Sequence, residues 1–292
     1  MARLRGYVLV ASAAVLWGSA SIAVSSALAY GMSFLGMAAL MTAIGSSVMV
    51  AYAGGEGFRR LRPDLILFGA VGIALFRAVY AYSVSINGAG VTASLLYTAP
   101  LLVAVVAPLT VGERPSRLDV VLAAVAVVGA YLASNPELRA ASALGFLVGT
   151  GLAGIYAVTI VAVKYFYSKG YRDKEVMAQA AVSSVPTLAM LTLISNSKVV
   201  INAVTLTALL WGGVATIGVA TVLYLKGMKD VRALDASVIA TLEPVSAIAL
   251  ATVVLGEKYV LLQLLGIALI LASALGITVK NYVWITTAKK LG

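Results

Sequence analysis

The sequence predicts an all-α integral membrane protein of ten transmembrane helices, arranged as two inverted five-helix repeats with both termini in the cytoplasm. Three observations predict this class: the composition, ten apolar segments of spanning length and a one-sided distribution of basic residues. Of the 292 residues, 62% are hydrophobic and 11% are charged, and the mean hydropathy is +1.03. Because a soluble domain carries about 25% charged residues, lipid must surround most of this chain.

Ten apolar segments are long enough to cross a bilayer as helices. A helix rises about 1.5 Å per residue and the hydrocarbon core is about 30 Å thick, so about 20 residues suffice. None alternates with the period of two that barrel strands show. The first segment follows Arg3 and Arg5 like a signal peptide, but its length predicts a retained helix. The predicted spans are residues 7–29, 32–53, 65–86, 90–111, 118–134, 144–163, 176–195, 205–225, 235–255 and 260–279.

The basic residues predict the orientation of these spans. The termini and the loops near residues 54–64, 112–117, 164–175 and 226–234 hold 17 of the 21 lysine and arginine residues. The opposite loops hold only Arg139, Lys198 and Lys258. Since cytoplasmic loops are enriched in lysine and arginine, both termini are predicted to be cytoplasmic. We expect Lys164 and Lys226, at the cytoplasmic ends of spans, to extend toward the lipid headgroups.

The chain repeats its own pattern, and the repeat predicts two domains, residues 1–139 and 140–292. Each half has five predicted spans, so the second half must insert upside down relative to the first. Inverted repeats place a substrate site near the midplane between the halves, and rocking of one half against the other exposes it alternately. The matched residues are Tyr80 with Tyr224, Pro100 with Pro244 and Gly112-Glu113 with Gly256-Glu257 at an offset of 144, and Trp17 with Tyr156 at an offset of 139.

Three groups of residues carry a resemblance to a known family: Leu16-Trp17-Gly18; Tyr97-Thr98-Ala99-Pro100 with Val111-Gly112-Glu113; and Leu242-Glu243-Pro244-Val245 with Leu255-Gly256-Glu257-Lys258. They resemble the EamA branch of the drug/metabolite transporter superfamily over nearly the whole chain. The resemblance implies a central cavity lined by helices 1–4 and 6–9, with helices 5 and 10 outside. It also implies export of amino acids, other metabolites or drugs, but it does not fix the substrate.

Two charged residues lie deep in predicted spans, Arg77 in the third and Glu243 in the ninth. An arginine at the bilayer centre costs at least about 2.5 kcal/mol, so Arg77 must face protein or water. It could bind a substrate carboxylate or phosphate, or form a fixed ion pair. For Glu243 we consider, in this order, an ion pair with Arg77, binding of a substrate amine, and proton coupling. Their repeat partners, Thr221 and Ala99, are uncharged, so a zwitterion would match the two charges.

Several aromatic and hydroxyl side chains are predicted to line the cavity, since pockets favour aromatic residues with a few polar groups. Packing or anchoring at the membrane interface is the alternative role for each ring. Pro100, Pro108, Pro186 and Pro244 are predicted to kink their helices. The predicted substrate-binding residues are Arg77, Glu243, Tyr80, Trp17, Tyr97, Tyr156, Ser21 and Tyr224.

The predicted function is secondary transport of a small metabolite, an amino acid or a related compound, in the direction of export. The sequence lacks histidine and cysteine, and it has no P-loop, zinc-ligand spacing or serine nucleophile elbow. No catalytic role and no cofactor or metal are therefore predicted. A multidrug or cation exporter is the main alternative, and a channel or a membrane scaffold is less favoured. The predicted partners are a small-molecule substrate and the bilayer of the cell membrane; no nucleic acid is predicted, and a homodimer is left open.

Overall fold

The computed structural model of the chain describes residues 2–134, 142–256 and 260–291, and in this part every regular element is a helix. Most helices are rich in alanine, leucine and valine. The helices are α1 Ala2–Gly18, α2 Ala20–Ala29, α3 Phe34–Ala53, α4 Pro63–Leu67, α5 Ala74–Leu96, α6 Ala99–Thr110, α7 Arg117–Ser134, α8 Ala143–Ser168, α9 Asp173–Ile194, α10 Ala203–Trp211, α11 Ala220–Met228, α12 Ala233–Ala240, α13 Leu242–Leu255 and α14 Leu261–Leu291.

Within the described ranges, nine helical segments are long and apolar enough to cross a membrane, where the sequence predicts ten spans. The difference lies in the third and fourth predicted spans. Residues 63–96 form one segment of 34 residues, and the following α6 is a shorter apolar helix. Gly88 interrupts the long segment with a left-handed backbone (φ 75°, ψ 166°), which glycine adopts without a Cβ clash. The chain is a multi-pass membrane protein, and the count of ten crossings remains a prediction.

Five of the ten predicted spans are broken into shorter helical segments, and two of the breaks occupy equivalent positions in the repeat. One lies at Tyr97-Thr98 between α5 and α6, and the other at Thr241 between α12 and α13. Pro100 and Pro244 follow these breaks in the first turns of α6 and α13, where a missing backbone N–H costs little. These two prolines therefore begin new helices rather than kinking continuous ones, which corrects the sequence expectation. Pro108 and Pro186 do lie inside helices.

The same repeat appears in two π-helical segments. Residues Phe68–Ile73 connect α4 to α5, and residues Gly212–Val219 connect α10 to α11. Both begin at positions separated by the sequence offset of 144. π-helical turns widen a helix locally and are frequent at functional sites, and each of these segments contributes to the cavity described below.

Helix packing interleaves the two halves of the chain. The α1–α2 segment packs on α10, α11 and α13 of the second half, and α8 packs in the equivalent way on α5 and α6 of the first half. Helix α3 packs on α9, and α7 packs on α14. Gly129 and Gly266 face each other in the α7–α14 contact, where a Cβ added to Gly266 would lie 2.6 Å from the Gly129 carbonyl oxygen. The closest bundles thus combine helices from both halves.

Candidate functional site

A cavity of about 260 Å³ lies among helices of both halves. Its wall extends along α3 from Phe34 to Met49 and along α9 from Val176 to Ser184. Six of the eight side chains predicted from the sequence line it: Trp17, Arg77, Tyr80, Tyr156, Tyr224 and Glu243.

Arg77 and Glu243 both face the cavity but do not form the ion pair that the sequence analysis ranked first for Glu243. Among the described residues, no carboxylate oxygen lies within 4.0 Å of the Arg77 guanidinium. The buried Nε of Arg77 has no hydrogen-bond partner in the described structure, and its guanidinium carbon lies 5.9 Å from the Phe76 ring centroid. The two charges influence each other electrostatically without direct contact. Each charge is therefore available to a bound molecule.

Glu243 is held by local structure at the start of α13. It lies in the first turn of that helix, directly after the break at Thr241. Free N–H groups at a helix start favour a negative charge. The Tyr97 hydroxyl donates a hydrogen bond to the Glu243 carboxyl group. A Cβ on Gly18 would lie 2.6 Å from the Glu243 carbonyl oxygen, so glycine at this point of α1 lets α13 approach.

Aromatic rings form two groups on the cavity wall. In the first, the Tyr156 and Phe76 rings stack with centroids 5.1 Å apart, and Phe76 lies 6.2 Å from Tyr80. In the second, the Trp17 and Tyr224 rings are tilted, with centroids 5.0 Å apart. Trp17 and Tyr224 are the repeat partners of Tyr156 and Tyr80, so the repeat relates the two groups of rings. Phe76 is the exception, because alanine stands at the equivalent position 220.

Two predicted site residues do not line the cavity. Tyr97 is buried, packs on α7 and α14, and reaches the site only through its hydrogen bond to Glu243. Ser21 is exposed, and its hydroxyl donates to the Gly18 carbonyl oxygen at 2.9 Å. The break at Ser19 between α1 and α2 ends the continuous helix on which the sequence placed Ser21 beside Trp17. The proposed contact of Ser21 with substrate is therefore withdrawn.

Other cavity residues escaped the sequence analysis. Hydroxyl groups of α3, α8, α9 and the π-helical segment reach the wall, as do three methionines of α3. Serine and threonine are common in membrane helices, where they bond their own backbone, so their identity alone gives no signal. The Thr42 hydroxyl has no partner in the described structure. The additional residues are Phe76, Thr42, Ser46, Thr159, Ser184, Thr216, Thr221, Met37, Met41 and Met49.

A second polar assembly lies at one end of the molecule, and we call it the charged network. The sequence analysis did not single out its acids as functional residues. Asp119 and Asp235 are each 1% exposed, and Arg232 donates to both carboxylates. The network consists of Tyr7, Glu113, Ser116, Asp119, Lys164, Arg232, Asp235, Lys280 and Asn281.

Lys164 belongs to this network, so the expectation that it extends to the headgroups is wrong. Its Nζ donates to the carbonyl oxygens of Met228 at 2.9 Å and Val231 at 2.8 Å, and it lies 3.6 Å from a Glu113 carboxylate oxygen. The carbonyls at the end of α11 supply acceptors that the helix itself cannot use. A lysine near a span end therefore binds across helices here.

Comparison with known proteins supports the fold independently. A crystal structure of another protein matches with a TM-score of 0.81, covering 92% of this chain and 94% of that one at 20% identity, which shows a shared fold. An uncharacterized transporter from Archaeoglobus fulgidus is 30% identical over 217 residues, which cover 73% of this chain and 76% of the relative. The sequence profile of the EamA-like transporter family matches residues 4–135 and again residues 143–279.

The family profile and the relative from Archaeoglobus fulgidus point to a membrane transporter. The described residues contain no group of three side chains suited to hold a metal ion. Both halves match one family profile, as the sequence repeat predicts. The chain belongs to the EamA-like transporter family.

Proposed function

We propose that this protein is a secondary carrier that exports a small zwitterionic metabolite, an amino acid or a related compound, across the plasma membrane. The observation that carries the proposal is the pair of opposite charges, Arg77 and Glu243, which face one cavity without contacting each other. A zwitterion presents its carboxylate to a guanidinium and its ammonium to a carboxylate, so one molecule satisfies both groups. Export is the direction that the family resemblance implies.

The proposed topology has ten crossings with the charged network at the cytoplasmic end. The break at Gly88 separates the third crossing from the fourth, which continues through α6. Most lysine and arginine residues then lie on the cytoplasmic side, in agreement with the usual bias. Since an odd number of crossings separates the halves, the repeats are inverted.

The interleaved packing supports transport by alternating access. In this proposal the α1–α2 segment moves with α10, α11 and α13, and α8 moves with α5 and α6, because these helices pack on one another across the two halves. The moving units are then mixed bundles rather than the sequence halves 1–139 and 140–292. Rocking of one bundle against the other exposes the cavity to each side in turn.

Counterflow in proteoliposomes tests the substrate class. Vesicles preloaded with unlabelled amino acid should accumulate the labelled compound, with saturation at increasing concentration. Arg77→Gln and Glu243→Gln should each weaken apparent affinity by about tenfold or more, the effect of losing one charge-assisted hydrogen bond. Lys169→Gln, which removes an exposed cation far from the cavity, is the matched control and should transport normally.

A lipophilic cation is the second candidate substrate, because aromatic rings and methionines line the same cavity as Glu243. Such a substrate requires Glu243 but not Arg77. If Arg77→Gln transports as well as Lys169→Gln while Glu243→Gln does not, the zwitterion proposal is overturned in favour of a cation. A flux without saturation or counterflow would contradict a carrier and indicate a channel.

A further inference from the structure

The charged network joins the two bundles at a single end of the molecule. Its central residue is Arg232, in the segment between α11 and α12. The guanidinium donates two parallel hydrogen bonds to Asp119 of α7, both at 3.0 Å. It also donates from Nε to Asp235 of α12 at 3.1 Å. Lys280 of α14 binds the same Asp119 carboxylate. A bidentate arginine pair fixes geometry as well as distance, so α7 and α12 are held in one relative position.

A second set of contacts lies beside the first. Glu113, in the segment between α6 and α7, accepts a hydrogen bond from the Ala233 backbone N–H at 2.7 Å. The same carboxylate pairs with Lys164 of α8, which in turn binds the carbonyl oxygens of Met228 and Val231. The start of α12 and the end of α11 are thus joined to α8 and to the α6–α7 segment, which belong to the other bundle.

The network lies directly beyond one end of the cavity. Val163 and Leu225 line the cavity; Lys164 is the next residue after Val163, and Met228 lies one helical turn beyond Leu225. Helix α12 packs on α6 at this end. The repeat-equivalent helices at the opposite end are α13 and the second part of α5, and among the described contacts no comparable packing joins them. The cavity is therefore closed more tightly at the network end.

The repeat does not reproduce most of the charges of the network; the exception is Glu113, whose repeat partner Glu257 lies outside the described residues. At the offset of 144, Gly88 stands at the position equivalent to Arg232, Val91 at that of Asp235 and Gln263 at that of Asp119. The Gln263 side chain bonds only backbone groups of Val260 and Ala133 in the described structure. The two bundles are related by a pseudo-twofold axis. They meet through charged groups at one end, and these three equivalent positions at the other end are uncharged.

The Arg232 guanidinium remains ionised in this closed state. Burial alone would lower the pKa of the Arg232 guanidinium, but its hydrogen bonds to the Asp119 and Asp235 carboxylates raise that pKa above the ordinary value. Burial also raises the pKa of the Glu113 carboxyl group, against the opposing effects of Lys164 and the Ala233 N–H. Separating the buried carboxylates of Asp119 and Asp235 from Arg232 would leave them uncompensated until water reached them.

We propose that the charged network is a one-sided latch, which keeps the cavity closed at the network end and must break for that end to open. The proposal rests on the alternating access proposed above. The opposite end has no charged equivalent at these positions. The latch therefore gives the state closed at the network end a lower free energy than the state closed at the opposite end, and the resting protein favours closure at the network end. Loss of the latch shifts the population toward opening at this end.

The absence of native cysteine makes the test direct, because a single introduced thiol has no background. Thr159→Cys places the thiol on the cavity wall at a hydroxyl that bonds only its own helix, to Ile155 at 2.8 Å. A membrane-impermeant thiol reagent is added to the network side of oriented vesicles, and the labelling rate is measured. Arg232→Gln should raise this rate by about tenfold over the parent, the population shift expected on losing a hydrogen-bonded ion pair.

Lys174→Gln is the matched control. It removes a partly exposed ion pair to Glu56, with an N–O distance of 2.8 Å, that lies outside the network. This variant should label like the parent. Arg232→Gln counts as folded if its melting temperature and elution volume match those of Lys174→Gln. If this folded variant is labelled at the same rate as the parent, the latch is overturned. If Arg232→Gln does not fold, Lys280→Gln decides, since it keeps both arginine pairs. It should raise labelling by a smaller factor, and an unchanged rate overturns the proposal.

The labelling assay needs no substrate, so it separates the latch from the substrate proposal. Faster labelling of the network variants together with failed counterflow would retain the latch and reject the zwitterion. Normal counterflow with labelling that no network variant changes would retain the carrier and reject the latch.

Discussion

Tyr97 connects α7 and α14, which lie outside the cavity wall, to Glu243 on that wall. The Tyr97 ring packs on α7 and α14, and its hydroxyl donates to the Glu243 carboxyl group. This bond orients the Glu243 carboxyl group on the aromatic wall of the cavity. Tyr97 is therefore a positioning residue for Glu243 rather than a contact of the substrate.

Replacing Tyr97 with phenylalanine tests this role. Tyr97→Phe removes the donor but keeps the ring, so packing on α7 and α14 is preserved. Losing one hydrogen bond to a charged group should cost about 1.5–3 kcal/mol of stability or binding. We expect a lower melting temperature in detergent and a weaker apparent affinity for substrate amines, measured by counterflow. Tyr131→Phe, at an exposed tyrosine of α7, is the control, and equal effects of both substitutions would contradict the positioning role.

At the residue scale, the sequence could identify the charges but not their contacts. Arg77 and Glu243 are conspicuous because a charge deep in an apolar span is costly, and both do line the cavity. Whether they pair depends on the distance between two helices separated by more than a hundred residues, which no local pattern encodes. The hydroxyls of Thr42 and Ser184 could not be found either, because serine and threonine occur throughout these helices.

At the scale of the elements, glycine pairs decide how closely helices approach. Helices α7 and α14 meet where Gly129 and Gly266 leave no room for a side chain, because a Cβ added to either would lie within 2.8 Å of the carbonyl oxygen of the other. In lipid, close packing of small residues is a main source of helix association. This contact holds the outer helix of each repeat against that of the other.

Gly266→Ala should destabilise the protein, because its Cβ would lie 2.6 Å from the Gly129 carbonyl oxygen and no rotamer can relieve a backbone clash. Overpacking of this kind costs about 1–3 kcal/mol. The thermal unfolding midpoint in detergent measures the effect. Gly151→Ala on α8, where nothing lies within 4 Å of the added Cβ, is the control. It should be neutral or slightly stabilising, and equal loss in both variants would contradict the close α7–α14 contact.

Helix breaks are also features at the scale of the elements. The sequence predicted the positions of the breaks more accurately than their geometry. Pro100 and Pro244 mark both repeat-related breaks, but each starts a new helix in place of the expected kink. The break at Ser19 directly follows Gly18 and has no proline beside it. Its hydroxyl bonds the Leu16 carbonyl oxygen at 2.6 Å and accepts from Trp211 Nε1 at 3.0 Å, a partner that only tertiary packing supplies.

At the scale of the whole molecule, the count of crossings is open to a direct test. The proposed topology places Ala89, just after the Gly88 break, and Arg114, beyond α6, on opposite sides of the membrane. Both positions are exposed. Ala89→Cys and Arg114→Cys, each in the cysteine-free chain, should react with an impermeant reagent from opposite faces of oriented vesicles. Labelling of both from the same face would show that residues 89–110 do not cross, and the ten-crossing proposal would fall.

The sequence by itself determined the class of this protein. An apolar composition requires lipid, repeated Pro and Gly-Glu positions reveal two halves, and a costly buried charge marks the helices that face the cavity. All of these follow from the chain's own residues and the energetics of the bilayer.

Only the tertiary structure decided how the charges are used. Arg77 and Glu243 stay apart, whereas Asp119, Arg232 and Lys164, which seemed ordinary residues of span ends, assemble into the charged network. The physical reason is that an ion pair depends on distances of a few ångströms between distant parts of the chain. Those distances are set by how the two bundles interleave, and no pattern within a single helix records them.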